Sequence, residues 1–235
     1  MQAVILAGGL GTRLGELTRH TPKAMLPFYG RPFLYHIIKL LENQGIKDIV
    51  ICIGYLGEQV RDFFGDGQKL GVNIKYSEEN TRLLGTGGAL KQAQAMLEKY
   101  FLVLNGDTYL PVDYREVEAE YLRLGRKALM VAYNNKVDTG VENNIALDRS
   151  QIVVRYDKGG TSPDLKYVEA GASVIGKEAL DFIPEGVKIS LEDGIYRRLI
   201  AKRELAAYVT RQCFYDIGTP EQRLVFAEFI KRVAR

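Results

Sequence analysis

The chain has 235 residues, with 46% hydrophobic and 26% charged side chains and a formal net charge of +3. That length supports one large buried core, the composition is that of an ordinary globular protein, and the near balance of interspersed acids and bases excludes a nucleic-acid surface. No apolar run reaches the roughly 20 residues a bilayer requires, the N-terminus enters a strand pattern with no leader, and Cys52 and Cys213 lie far apart, so a protein of the reducing cytoplasm is expected.

The first element is a strand over 2–6. Its run Ala3-Val4-Ile5-Leu6 is apolar without alternation, as in a parallel strand buried on both faces. A glycine-rich loop follows. Pro32 then opens a helix over 32–44. A strand over 48–53, a helix over 56–64 and the turn Gly65-Asp66-Gly67 come next. A strand over 72–76 precedes a helix over 86–97 that begins at Gly85-Thr86-Gly87-Gly88. A strand over 101–104 ends at Asn105-Gly106-Asp107. This alternation predicts an α/β fold: a mostly parallel sheet, right-handed crossovers and helices on both faces, a Rossmann-like three-layer sandwich.

The second half is more mixed. A strand is expected over 128–133. Short strands over 144–147 and 152–157 form a hairpin across Asp148-Arg149-Ser150-Gln151. A loop over 159–163 precedes a strand over 170–175 and a helix over 191–201. Thr219 as N-cap, Pro220 and Gln222 start a final helix. There is no linker composition and no repeat, so one domain is expected over 1–235, with halves at about 1–110 and 111–235 and no β-helix appended.

The loop Leu6-Ala7-Gly8-Gly9-Leu10-Gly11-Thr12-Arg13-Leu14 is the most informative segment. Glycines at the end of a sheet strand let backbone N–H groups approach a phosphate. Arg13, with a planar fork, and Lys23, a point charge after Pro22, add cations suited to a triphosphate. Two other phosphate loops are excluded. The dinucleotide fingerprint fails because Gly15 arrives one residue late and the strand over 48–53 ends in Gly54-Tyr55, without the acid that holds a ribose. The Walker pattern fails for want of Gly-Lys-Ser/Thr. Asp107, just past a strand at the carboxyl edge of the sheet, is the strongest metal candidate, and Asp216 is the second carboxylate in a similar setting; each also suits a plain turn. His36 reads as structural within its helix, and His20 as either surface or substrate contact.

With Thr21-Pro22-Lys23-Ala24-Met25-Leu26-Pro27, Leu84-Gly85-Thr86-Gly87-Gly88-Ala89, Asn105-Gly106-Asp107-Thr108 and Tyr215-Asp216-Ile217-Gly218-Thr219-Pro220, the loop makes the chain resemble, nearly end to end, the sugar-1-phosphate nucleotidyltransferases. Within them it is similar to the short heptose-1-phosphate and mannose-1-phosphate guanylyltransferase-like group. The resemblance implies the nucleotide-diphospho-sugar transferase fold and an Mg²⁺-dependent reaction. A sugar 1-phosphate attacks the α-phosphorus of a nucleoside triphosphate, GTP in this group, and pyrophosphate leaves. It also implies a place in nucleotide-sugar and cell-envelope polysaccharide synthesis, no membrane partner, and self-association as a common state.

On the same basis Arg13, Lys23 and Asp107 carry catalysis, and Asp107 and Asp216 hold the metal. The nucleotide falls to Leu6, Ala7, Gly8, Gly9, Gly11, Thr12, Arg13, Lys23, Glu79, Gly85, Thr86 and Gly87, with Glu79 accepting from a guanine edge. The sugar phosphate falls to Gly106, Asp157, Lys158, Glu169 and Gly171. Two departures stand out. Relatives place a proline before the Leu-Gly-Thr-Gly-Gly run where this chain has Asn80-Thr81-Arg82-Leu83-Leu84, and Glu169-Ala170-Gly171 stands where relatives often carry Asn-Ala-Gly. The alternatives are a uridylyl- or thymidylyltransferase on a glucose-like or amino-sugar phosphate, a glycosyltransferase, and a regulatory paralogue that binds nucleotide sugar without turnover. The glycosyltransferase lacks the second acid of an Asp-x-Asp set at Asp107-Thr108-Tyr109. The paralogue would be expected to lose Arg13, Lys23, Asp107 or Asp216, and all four are present.

Overall fold

The computed structural model describes residues 1–79, 82–137 and 139–233. Its centre is one seven-stranded sheet, in the order Leu205–Thr210, Ala128–Tyr133, Val168–Gly176, Tyr100–Asn105, Gln2–Leu6, Asp48–Ile53, Asn73–Glu78. All neighbours run parallel except Val168–Gly176, which is antiparallel to both its partners. Strands from both halves of the sequence thus share one sheet.

Alternation along the strands makes the three layers. Ala3, Ile5, Ile49 and Ile51 point to one face and meet Phe33, Ile37, Leu41, Val60, Phe64, Val117 and Phe226. Val4, Val50, Cys52 and Val103 point to the other and meet Leu90, Leu97, Ile195 and Leu199. The unbroken apolar runs read from the sequence are the consequence of covering both faces.

Most expected elements occur within two or three residues of their predicted ends. The first helix spans Phe33–Asn43 and the last Pro220–Val233. The Thr219 cap forms, its Oγ1 accepting from Gln222 N–H at 3.3 Å. The Gly85 helix ends at Gln92 and tightens into a 3₁₀ turn over Ala93–Met96. The helix expected over 191–201 begins as a π turn, Glu192–Tyr196, before the α turn Arg197–Ala201. One α-helix and one strand of the main sheet were not anticipated. Tyr114–Leu124 is a helix capped by Asp113, which accepts from Arg115 N–H at 2.9 Å. Leu205–Thr210 is an edge strand. The helix carries only Tyr114 and Val117 fully buried, so its apolar stripe is too thin to announce itself.

Four aromatic rings lock the functional end of the sheet. Phe28, five residues after Lys23, meets Phe226 of the last helix at 5.0 Å between ring centres, and Phe33 meets Phe226 at 4.7 Å. Tyr109 meets Phe226 at 5.5 Å. His36 Nε2 contacts the Phe28 carbonyl at 3.0 Å, and burial lowers the imidazole pKa, so this histidine is structural. The segments that carry Lys23, Asp107 and Asp216 are therefore anchored to one aromatic cluster.

Candidate active site

Strand Gln2–Leu6 lies between Asp48–Ile53 and Tyr100–Asn105, where the chain's winding reverses, and the loop after it opens into a cleft of about 490 Å³. This is where open α/β sheets bind ligands, and the volume suits a small molecule. Gly8 and Gly106 make the floor. A Cβ on Gly8 would fall 2.6 Å from Glu79 Oε2, and one on Gly106 2.7 Å from the Leu6 carbonyl. Gly11 takes a left-handed φ of 65°, and Thr18 Oγ1 donates to its carbonyl at 3.0 Å, fixing the turn that opens at Thr12.

The charged centre is built from four segments. Lys23 Nζ donates to Asp107 Oδ2 at 2.6 Å, and the Lys23 side chain is 11% exposed against 34% for Asp107. Strand Tyr215–Asp216 pairs antiparallel with Thr108–Tyr109, setting Asp216 opposite Thr108, and Ile217 N–H donates to the Asp107 carbonyl at 3.1 Å. Asp216 therefore lies on the strand paired with the one that begins just after Asp107. Gly218 N–H donates to Asp216 Oδ1. A Cβ on Gly218 would lie 3.2 Å from Lys23 Nζ and 3.4 Å from Arg13 Nη2. Arg13, Lys23 and Asp216 thus converge around one glycine. Burial and the charge of Asp107 push the Asp216 carboxyl above its usual range, against the pull of Lys23, Gly218 N–H and Arg13. No group of three or more His, Cys, Asp or Glu side chains suited to a metal occurs among the described residues. Two hard carboxylates, with the rest of the coordination left to phosphate and water, match what Mg²⁺ accepts.

Glu79 lines the cleft beside Gly8, with Leu83, Gly85, Thr86 and Ala89 beyond it. Its Oε1 accepts from Leu84 N–H; burial raises the carboxyl pKa and that hydrogen bond opposes the rise. Asn80 and Thr81, part of the departure noted in the sequence, lie outside the described residues. The Gly85–Gln92 helix start is stitched to the second half. Gly87 and Gly88 N–H donate to the Ile189 carbonyl at 3.0 and 3.2 Å, and Thr86 Oγ1 accepts from Leu191 N–H at 2.8 Å.

At the other end, the pairing of Val168–Gly176 with Ala128–Tyr133 slips between Glu169 and Ser173. Gly171 there has a φ of 77°, and its N–H donates to Glu169 Oε1 at 3.0 Å. This bulge presents Glu169 to the cleft. Burial pushes its carboxyl up to about 7, the pull of Lys158 notwithstanding. Lys158 forms an ion pair with Glu192, and its ammonium stands 5.9 Å from the Tyr156 ring centre.

The cleft lining brings together Leu6, Ala7, Gly8, Gly9, Gly11, Thr12, Arg13, Lys23, Glu79, Gly85, Thr86, Gly106, Asp107, Lys158, Glu169 and Gly171. Asp216 lies just behind Gly218, which does line it. Two expected residues stand apart. Gly87 faces the 183–190 segment, where a Cβ would meet the Ser190 carbonyl at 2.7 Å, so it serves close packing. Asp157 is exposed and folds over Gly160, while Lys158, on the turn that follows, lines the cleft. His20 is likewise off the lining. Residues missed by sequence reading are Lys188, Glu192, Tyr196 and Ser173, all on the lining. None belongs to a spaced motif; Tyr196 and Ser173 meet only across the fold, at 3.1 Å.

The family profile described as "Nucleotidyl transferase" matches residues 2–232. The chain belongs to the nucleotidyl transferase family. It is 32% identical over 224 residues to D-glycero-alpha-D-manno-heptose 1-phosphate guanylyltransferase of Campylobacter jejuni, covering 94% of this chain and 96% of that protein. It is 31% identical to mannose-1-phosphate guanylyltransferase of Mycobacterium tuberculosis, across 94% of this chain and 62% of that longer protein. Among solved structures, HddC from Yersinia pseudotuberculosis complexed with GMP-PN superposes with a TM-score of 0.82 at 29% identity, covering 97% of this chain and 99% of that one. The nucleotidyl transferase fold, and membership of the group suggested by the sequence motifs, are thus borne out. No helix among the described residues is long and apolar enough to cross a membrane.

Proposed function

We propose that this nucleotidyl transferase joins GTP and a heptose- or mannose-type sugar 1-phosphate to give a GDP-sugar and pyrophosphate. The observation that carries the reading is the set of charges in one cleft: Arg13, Lys23 and Asp216 gather around Gly218, and Lys158 and Glu169 line the same cleft. One cleft lined by three cations from separate segments suits two phosphorylated reactants. The guanylyltransferase relatives support the base and the sugar class.

An oxygen of the sugar phosphate forms a bond to the α-phosphorus while the α-phosphorus–oxygen bond to pyrophosphate breaks. Both nucleophile and leaving group are phosphate anions, so the protein moves no proton; it aligns the reactants and offsets negative charge. Arg13 and Lys23 bind the departing pyrophosphate portion, and backbone N–H groups of the 8–12 loop orient the chain of phosphates. Glu79 accepts from the guanine edge, and Lys158 receives the sugar phosphate. Asp107 and Asp216 would hold Mg²⁺, which supplies charge neutralisation on the α-phosphate. For Asp107 to serve, Lys23 must exchange its carboxylate for a phosphate oxygen, which the arriving nucleotide offers. A cytoplasmic location goes with these substrates.

The test is pyrophosphate release with Mg²⁺, each nucleoside triphosphate and a panel of sugar 1-phosphates. GTP with a manno-configured sugar is expected to lead. Release with UTP or dTTP and a glucose-type sugar alone would replace the base and sugar assignments, and silence with every pair would overturn the reading.

A further inference from the structure

Lys158 lies two residues beyond the end of strand Val153–Tyr156, on an exposed turn, and its side chain is 59% exposed. A lysine on such a turn ordinarily samples many rotamers. Here the ammonium is drawn over the cleft by Glu192, its one ion-pair partner among the described residues. The other groups that face it are Glu169, Asp107 and the Tyr156 ring. Glu192 itself is rigidly mounted. It opens the helical turn after Leu191, whose N–H is held by Thr86 Oγ1, and Ile189 is bonded to Leu84, Gly87 and Gly88 on the nucleotide side. The chain of contacts from Thr86 through Leu191 and Glu192 to Lys158 therefore joins the helix start at one end of the cleft to the lysine at the other.

Resting on the nucleotidyl transfer proposed above, we infer that Glu192 is a positioning residue that holds the Lys158 ammonium where the phosphate of the sugar 1-phosphate arrives, and acts on the reaction only through that lysine. The carboxylate sets the lysine's direction before substrate enters, and the sugar phosphate then shares or takes over its charge. Pre-orientation of this kind shows itself in capture of the sugar phosphate and not in capture of the nucleotide.

The experiment is a double-mutant cycle of Glu192→Gln and Lys158→Met, with KM measured separately for the two substrates. Glu192→Gln is expected to raise KM for the sugar 1-phosphate about tenfold, to leave KM for the nucleotide within about twofold, and to add nothing in the Lys158→Met background. Equal losses in both backgrounds, or a loss shared by the nucleotide, would overturn the inference, since Glu192 would then touch the sugar itself or merely hold the fold. A second readout needs no turnover. With ¹³C-methylated lysines followed by NMR, the Lys158 pKa should fall in Glu192→Gln, which removes the carboxylate that most favours the charged ammonium. An unchanged titration would overturn the inference even if the enzyme were silent with every substrate pair, and that silence alone would count only against the proposed reaction.

Discussion

Lys23→Met isolates the charge at the centre of the site, because methionine keeps most of the aliphatic stem and removes the ammonium. Lys23 is 11% exposed and bound at 2.6 Å to an Asp107 that keeps a third of its own exposure. Asp107 can therefore rehydrate when its partner is lost, and the stability change should be about 1 kcal/mol or less. The effect on rate is larger. A charge-assisted contact to phosphate contributes about 1.5–3 kcal/mol, and it strengthens as negative charge builds on the departing pyrophosphate. Together these predict a fall in kcat/KM of about a hundredfold or more. Steady-state pyrophosphate release beside a thermal melt measures both. A wild-type rate, or an activity loss that tracks unfolding, would refute the reasoning.

Three further outcomes follow from the geometry. Gly106→Ala places a Cβ 2.7 Å from the Leu6 carbonyl and 3.1 Å from Ala7, neither of which can move freely, so a loss of about 2 kcal/mol and of activity is expected from urea unfolding and turnover; unchanged stability contradicts it. The Glu169 carboxyl is raised from 4.5 to about 7, so in that window the native protein holds a proton the unfolded chain has released, and native stability falls as pH rises through it. Glu169→Gln should therefore gain about 3 kcal/mol on wild type between pH 4 and pH 8, read by denaturant titration at both values; a constant difference contradicts it. Asp216→Asn should weaken Mn²⁺ binding in the presence of a non-hydrolysable GTP analogue by at least about tenfold, followed by electron paramagnetic resonance; an unchanged affinity removes Asp216 from the metal set.

The glycine-loop side of the cleft, proposed to take the nucleotide, was legible in the sequence because its parts are contiguous. The glycines, Arg13 and Lys23 lie within one stretch, and the strand before them has an unmistakable apolar run. Asp107 and Asp216 were legible as strand-end acids, although their adjacency arises only through the pairing of Tyr215–Asp216 with Thr108–Tyr109. The Lys158–Glu169 side was less so. Glu192 meets Lys158 from 34 residues away, and nothing local marks either as half of a pair. Asp157 lies off the lining because the chain leaves its strand at Tyr156 and turns, and the sequence does not show which of two successive turn residues faces the cleft. The helix Tyr114–Leu124 buries only a thin stripe, and the edge strand Leu205–Thr210 takes its place through pairing with Ala128–Tyr133, which a short local pattern reveals poorly.

Direct attack of a sugar phosphate oxygen on the α-phosphorus can be followed with a sugar 1-phosphate labelled with ¹⁸O at its non-bridging phosphate oxygens, the isotope shifts being read by ³¹P NMR. Direct attack places ¹⁸O in the bridge between the two phosphorus atoms of the GDP-sugar and leaves pyrophosphate unlabelled; label in the pyrophosphate, or an unlabelled bridge, would contradict it.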